Sequence, residues 1–240
     1  MKRLIVLLFL TTSAFAAQPY IRLGGALESS KNTIVLDRDC ASTEPPALFG
    51  CGYDARGDFG DARTWQVAAG VELTRLRLEV ALFDRSNLDL DASANFTGVE
   101  GEQPVRAEVS SRAAMLVGSF PFAPEDWRVQ PFVSVGVGMA RNELGTTRYE
   151  FPGIAADAVT IMPGGTHDAF AYSAAAGASI QLTRQLALDV TAIYSDLGQV
   201  RSEAGEATIV RPNRTLSIPI DATRAELRTS GIAFSLRVRL

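Results

Sequence analysis

The sequence predicts an all-β protein, an eight-stranded antiparallel up-and-down β-barrel, from three observations. Apolar residues alternate with small or polar residues in eight segments, as they do in strands, whose side chains point to opposite faces in turn. No segment carries a helical pattern of useful length. The connections alternate between long and short, so an up-and-down barrel would collect the short turns at one end and the long loops at the other.

The eight segments and their connections can be read along the chain. The segments are Tyr20–Leu27, Thr64–Leu73, Leu76–Phe83, Val105–Ser119, Trp127–Asn142, Phe170–Leu182, Leu186–Leu197 and a last segment that ends at Leu240. Short turns follow the second, fourth and sixth segments. The other connections are expected to be long extracellular loops, at about residues 29–63, 84–104, 143–169 and 198–225.

The second face of the segments predicts that the barrel is inside out. In the sixth segment, the face opposite Phe170 and Tyr172 carries small residues such as Ser173, Ala175 and Gly177. A soluble barrel would need charged and long polar side chains on its outer face. Small residues suit a narrow lumen instead. The sequence therefore predicts a transmembrane barrel whose apolar face contacts lipid.

The N-terminus predicts export. Lys2 and Arg3 precede an apolar run, and Ala14-Phe15-Ala16 follows it. This order is that of a secretory signal peptide, so residues 1–16 are expected to be removed before Ala17. The barrel is then expected to span residues 17–240.

The two cysteines, Cys40 and Cys51, are expected to form a disulfide in the first long loop. An exported chain reaches an oxidising compartment, where paired cysteines oxidise. A metal site is not expected, because His167 is the only histidine and lies far away in the sequence. No cofactor is expected either.

Charged residues on the predicted lumen face form a candidate network. Six would lie near the short-turn end and three nearer the loops: Arg22, Glu72, Arg77, Glu79, Arg237 and Arg239, then Arg106, Glu108 and Arg112. They could line a gated pore or could pair structurally in a closed lumen. Eight strands leave little room for a channel, which favours structural pairing.

The pattern resembles a known family at this point. QPFVSVGVGMARN resembles the fifth strand, and FAYSAAAGASIQLTRQLALDVTAIYSDLG the sixth and seventh strands, of small outer-membrane β-barrel proteins grouped with the opacity proteins and the OmpA/OmpX-like, porin-like barrels. The resemblance implies insertion in the bacterial outer membrane. GIAFSLRVRL resembles the terminal strand that such proteins present to the outer-membrane assembly machinery, although Leu240 stands where the family usually has phenylalanine. No periplasmic domain is expected after this strand.

The function expected from this resemblance is non-enzymatic. The long loops would contact an extracellular partner, or the barrel would serve envelope integrity; fold alone does not separate the two. Outer-membrane lipid and lipopolysaccharide are expected partners. Nucleic acid is not, because the chain carries a formal charge of −4 and no basic block.

Two alternatives remain open. The first is a narrow porin-like diffusion channel. The second, less favoured, is a lipid-A-modifying or proteolytic outer-membrane enzyme, with His167 and Asp168 as candidates for a base and its orienting acid. His167 lies in a predicted loop and has no serine two residues on, so no catalytic site is expected.

Overall fold

The computed structural model describes residues 17–73, 75–96, 100–124 and 127–240. The predicted signal peptide at 1–16 therefore lies outside the described residues, as do Thr74, Glu125 and Asp126 of two predicted short turns. In the described ranges the chain is all-β, and no helix there is long and apolar enough to cross a membrane.

Fourteen strands form one antiparallel sheet. They are β1 (Gln18–Ser30), β2 (Thr33–Asp37), β3 (Ala55–Asp58), β4 (Asp61–Leu73), β5 (Leu76–Ala94), β6 (Pro104–Pro121), β7 (Val129–Leu144), β8 (Thr147–Glu150), β9 (Val159–Met162), β10 (Gly165–Gln181), β11 (Leu186–Arg201), β12 (Gly205–Arg211), β13 (Arg214–Ile220) and β14 (Thr223–Arg239). Eight of them close a ring in the order β1, β4, β5, β6, β7, β10, β11, β14, with β14 pairing back onto β1. The predicted eight-stranded up-and-down barrel is confirmed.

The connections predicted as long loops are largely β-structured. The barrel strands continue into them; β5 reaches Ala94, well past its predicted end at Phe83. The six short strands lie entirely within the predicted loop ranges and extend the sheet, since β3 pairs with β5 and β8 pairs with β6. Polar residues at these positions had suggested loops, but they alternate with apolar residues that the extended sheet buries.

The outer face of the barrel carries an apolar band. Residues on this face are large and exposed, and Trp65 retains 72% of its surface. Members from different strands include Leu23, Val80, Val135, Met139, Phe170 and Phe234. Because the barrel's closed hydrogen bonding satisfies the backbone, such a band is stable in lipid. The small residues Gly136 and Gly138 face inward on β7.

The pattern inverts above this band. At Asn87, which has φ of +62°, the pairing of β5 with β6 shifts its register. Beyond the shift Leu88 and Leu90 are buried, whereas Asp89 and Asp91 are exposed. A second shift lies between Asp196 and Gln199 on β11, at Gly198, whose φ of +72° favours glycine. The loop-end part therefore has an apolar interior and a polar exterior.

We call this loop-end part the cap, defined as the described residues of 31–60, 88–108, 145–164 and 199–226. Its interior is rich in aromatic side chains. The rings of Phe49 and Phe96 stack with centroids 5.2 Å apart, and Tyr149 packs edge-on against Phe49 at 5.9 Å. Phe151 packs 6.0 Å from Phe96. The cap is thus a packed part of the structure, and its aromatic cluster continues the hydrophobic core of the barrel interior.

Candidate functional site

Ion pairs fill the lumen at the short-turn end. Arg22 on β1 donates from Nε to Glu79 Oε2 on β5 at 3.1 Å, and its Nη2 also pairs with that carboxylate. The Tyr20 hydroxyl donates to Glu79 Oε2 at 2.9 Å, and Gln66 Oε1 accepts from Arg22 Nη1 at 3.0 Å. Period-two alternation on adjacent strands brings these side chains to the same height inside the barrel.

A second set of pairs crosses the barrel closure. Arg237 on β14 donates from Nη1 to Glu72 Oε2 at 3.0 Å and from Nε to Asp189 Oδ2 at 3.3 Å. Arg239 Nε donates to Glu72 Oε2 at 2.7 Å. Asp189 on β11 was not among the predicted residues; it faces the lumen opposite the apolar face of its strand.

Arg77 lies between these pairs and is the least well partnered. Its Nη1 is 3.9 Å from Asp189 Oδ1, too far for a hydrogen bond. Its guanidinium carbon lies 4.6 Å above the centre of the Phe132 ring. The six turn-end residues of the predicted network thus all lie together in the lumen.

A buried ion pair higher in the lumen was missed. Arg85 Nε donates to Glu28 Oε2 at 3.2 Å, and both side chains are fully buried. Thr64 Oγ1 donates to Glu28 Oε1 at 2.6 Å, Thr229 bonds the other oxygen, and Arg85 Nη2 donates to Ser195 Oγ at 3.1 Å. Arg85 fell in a predicted loop. Arg77, Glu79 and Phe83 lie on the lumen face of β5, and continuing the same alternation by two residues would have placed Arg85 on that face.

The prediction was wrong for Arg106, Glu108 and Arg112, which face outward. Arg112 keeps 67% of its side-chain surface and lies 3.6 Å from Asp84 Oδ1. One face of β6 mixes these charged residues with Ala114 and Leu116, and the other is small or apolar, so composition alone does not fix which one points inward. Pairing does, because Met115 lies opposite the buried Ala81 of β5 and must share its face.

Arg112 belongs to an outer ring that we call the charged belt: Asp84, Arg112, Arg141, Asp168, Asp196 and Arg228. Its members lie on six adjacent strands; Arg112 lies opposite both Asp84 and Arg141, and Asp196 lies opposite Arg228. Arg141 donates to both oxygens of Asp168, at 2.8 and 2.9 Å. The belt lies directly above the apolar band, so it marks the boundary between the lipid-facing and water-facing surfaces.

The first cap connection is braced twice. Cys40 and Cys51 form a disulfide. The Asp37 carboxylate accepts hydrogen bonds from the backbone N–H groups of Leu48, Phe49 and Gly50 at 3.0, 2.9 and 2.8 Å. Burial raises the pKa of Asp37, although those three N–H groups act to lower it. The segment from Asp37 to Cys51, which contains Phe49, is therefore closed by the disulfide and by the Asp37 hydrogen bonds.

His167 and Asp168 do not act together. They lie on β10, where successive side chains point to opposite faces, and Asp168 turns outward to Arg141. The acid therefore does not orient the imidazole, which a catalytic dyad would need.

Solved structures show what this architecture is. The chain is similar to the outer membrane protein OprG from Pseudomonas aeruginosa, with a TM-score of 0.52 and 12% identity over 94% of this chain and 97% of that one. It is also similar to the outer membrane protease OmpT from Escherichia coli, with a TM-score of 0.51 and 12% identity over 96% and 99%. The fold is that of an outer-membrane β-barrel.

No protein-family model matches the sequence, and no curated protein matches it either. At 12% identity, the likeness to the solved structures shows the fold and not the activity. Fold and apolar band together place the chain in the bacterial outer membrane, as the sequence predicted.

Proposed function

We propose that this protein is a non-enzymatic, largely non-conducting surface platform, whose barrel anchors a rigid cap that binds an extracellular partner. The observation that carries the proposal is the aromatic core of the cap. Flexible loops would present a changing surface, whereas a packed core with a disulfide and the Asp37 bonds presents a fixed one.

Side chains at three heights support a closed lumen. The turn end holds the Arg22 and Arg237 networks, the middle holds Glu28 and Arg85, and the cap holds its aromatic cluster. A conducting path would have to separate buried ion pairs. Planar-bilayer recording is therefore expected to show no steady conductance steps from the purified protein, and reproducible steps would contradict the closed lumen.

Strand β13 offers a docking edge on the cap. It is the last strand of the sheet, and among the described residues β12 is its only pairing partner. Its residues Arg214 to Ser217 are exposed. A strand edge of this kind can accept an extended segment of a partner through backbone hydrogen bonds. We propose that the partner binds here by strand addition.

Thr215 is the position at which to test strand addition. Arg211 lies opposite Arg214 across a two-residue turn, and such a flanking pair is hydrogen-bonded, so the next residue, Thr215, directs its N–H toward the free edge. Thr215→Pro removes that donor and is expected to weaken binding about 2- to 10-fold, the equivalent of one hydrogen bond. The measurement is adhesion of a non-adherent bacterial host producing the protein to cultured epithelial cells.

Thr215→Val keeps the N–H and is the matched control, expected to bind as the parent does. Both variants should show the same gel shift between unboiled and boiled samples, which reports barrel assembly. Equal adhesion by the proline and valine variants would argue against β13 as the docking edge. No adhesion by the parent protein would argue for a role in envelope integrity instead.

The charged belt supports a second partner, the headgroups of lipopolysaccharide. Of the three belt arginines, Arg112 is the most loosely paired. Its guanidinium nitrogens lie 3.6 Å from Asp84 Oδ1 and 3.9 Å from Glu143 Oε1. Phosphates bind arginine well. We expect Arg112→Ala to lower the lipopolysaccharide that copurifies with the protein about 2- to 5-fold, the effect of one charge-assisted contact of about 0.5–1 kcal/mol.

Arg184→Ala is the matched control for this measurement, because Arg184 is exposed at the opposite, short-turn end. Its copurifying lipopolysaccharide should equal that of the parent. An equal loss in both variants would mean that net charge, and not the belt, governs the association.

A further inference from the structure

A small polar cavity lies in the lumen beside Arg77. It has a volume of about 40 Å³, and its walls include Arg77, Phe132, Ser119, Ser134 and Arg237. A polar cavity of this size holds one or two water-sized species. Three arginines line it, Arg22, Arg77 and Arg237, against two carboxylates, Glu79 and Asp189, so its lining carries one more positive than negative charge.

The donors of Arg77 show which species the cavity suits. Arg77 is 3% exposed, and neither its Nε nor its Nη2 has a hydrogen-bond acceptor among the described residues. These two nitrogens form one edge of the guanidinium, the fork that binds anions with two parallel N–H groups. The Phe132 ring covers one face of the same group, so the edge is what remains for a ligand.

The neighbouring carboxylates are already engaged. Asp189 accepts from Ser179 and Arg237, and its Oδ1 comes no nearer than 3.9 Å to Arg77 Nη1. Glu79 accepts from Tyr20 and Arg22. Neither carboxylate can move toward Arg77 without leaving another buried donor unsatisfied.

The charges of this end of the lumen do not balance. Among the residues that the structure describes, the network contains four arginines and three carboxylates: Arg22, Arg77, Arg237 and Arg239 with Glu72, Glu79 and Asp189. An excess positive charge inside a narrow barrel is unfavourable unless a counter-charge lies near it.

We infer that the lumen binds one small inorganic anion, a chloride, on the Nε–Nη2 edge of Arg77. Chloride can accept hydrogen bonds from both N–H groups, and it brings the negative charges of the network to four against four positive charges. It also suits a cavity of about 40 Å³. The site is structural: the ion completes the network that closes the turn end of the barrel.

Bromide replaces chloride in the test, because its anomalous scattering locates it directly. Crystals of the protein grown in bromide are expected to show an anomalous peak within hydrogen-bonding reach of Arg77 Nε and Nη2. Water in that position gives no such peak. Absence of the anomalous peak would therefore overturn the inference.

Unfolding kinetics in detergent give a second, independent readout. The parent protein is expected to unfold at least about fivefold more slowly in sodium chloride than in sodium gluconate of equal ionic strength, because gluconate is too large for the cavity. Arg77→Met should abolish this difference, whereas Arg184→Met, at an exposed position, should retain it. A chloride effect that persists in Arg77→Met would contradict the site. If that variant does not assemble, the bromide crystals decide the question.

Discussion

Glu28→Ala is expected to lower the free energy of unfolding of the barrel by about 3–5 kcal/mol, the usual cost of breaking a buried ion pair on one side. The substitution leaves the fully buried Arg85 without its carboxylate, and it also removes the acceptor of Thr64 and Thr229. The measurement is urea unfolding in detergent, followed by the gel shift between folded and boiled forms.

Glu143→Ala is the matched control for the loss of a carboxylate. Glu143 is partly exposed and lies 3.9 Å from Arg112, so its removal should change the free energy of unfolding by less than about 1 kcal/mol. A Glu28→Ala barrel as stable as the control would show that water or another group compensates Arg85. The proposal that this pair closes the middle of the lumen would then fail.

Phe49→Ala is expected to destabilise the cap by about 3–5 kcal/mol while leaving the membrane barrel assembled. Phe49 is buried, stacks on Phe96 and packs on Tyr149, and the cavity left by its removal lies in the centre of the cap. The cap is expected to open locally, since the barrel below it is held by its own closed ring of strand pairings and by the ion-paired lumen. Limited proteolysis of intact cells should cut the variant within 31–60, where the parent resists.

Leu216→Ala is the control for this experiment, because Leu216 is exposed on β13 and its loss leaves no cavity. Its proteolysis pattern should match that of the parent, and all variants should retain the gel shift. Cleavage of parent and Phe49→Ala at the same rate would mean that the cap does not depend on the aromatic core. A fixed binding surface would then lose its main support.

Periodicity carried most of the fold prediction, for a reason visible in individual strands. On β7 every second residue from Val129 to Met139 faces lipid, so the alternation is strong and its phase is clear. On β6 the alternation is equally regular, but the face that contacts lipid also carries charged residues near its loop end, and the predicted phase was reversed. Only pairing with β5, where Ala81 is buried, fixes the face of Met115.

For the candidate site, too, some residues could be predicted from the sequence and others could not. The turn-end residues could be found because each lies near a short turn, whose position fixes its height in the barrel. Glu28 and Arg85 could not be found by that argument, since they lie beyond Leu27 and Phe83, where the predicted segments end. Their contact spans 57 residues and depends on how far β1 and β5 extend together.

The sequence by itself determined the number of barrel strands, the inside-out pattern, the membrane location and the turn-end charges, because alternation and turn spacing are local properties of the chain. The tertiary structure alone decided which face of β6 points inward, and it showed that the long connections fold into a cap. It also showed that Nε and Nη2 of Arg77 have no acceptor among the residues that the structure describes. These features depend on register between strands distant in sequence, and on the packing of side chains that only the closed barrel brings together.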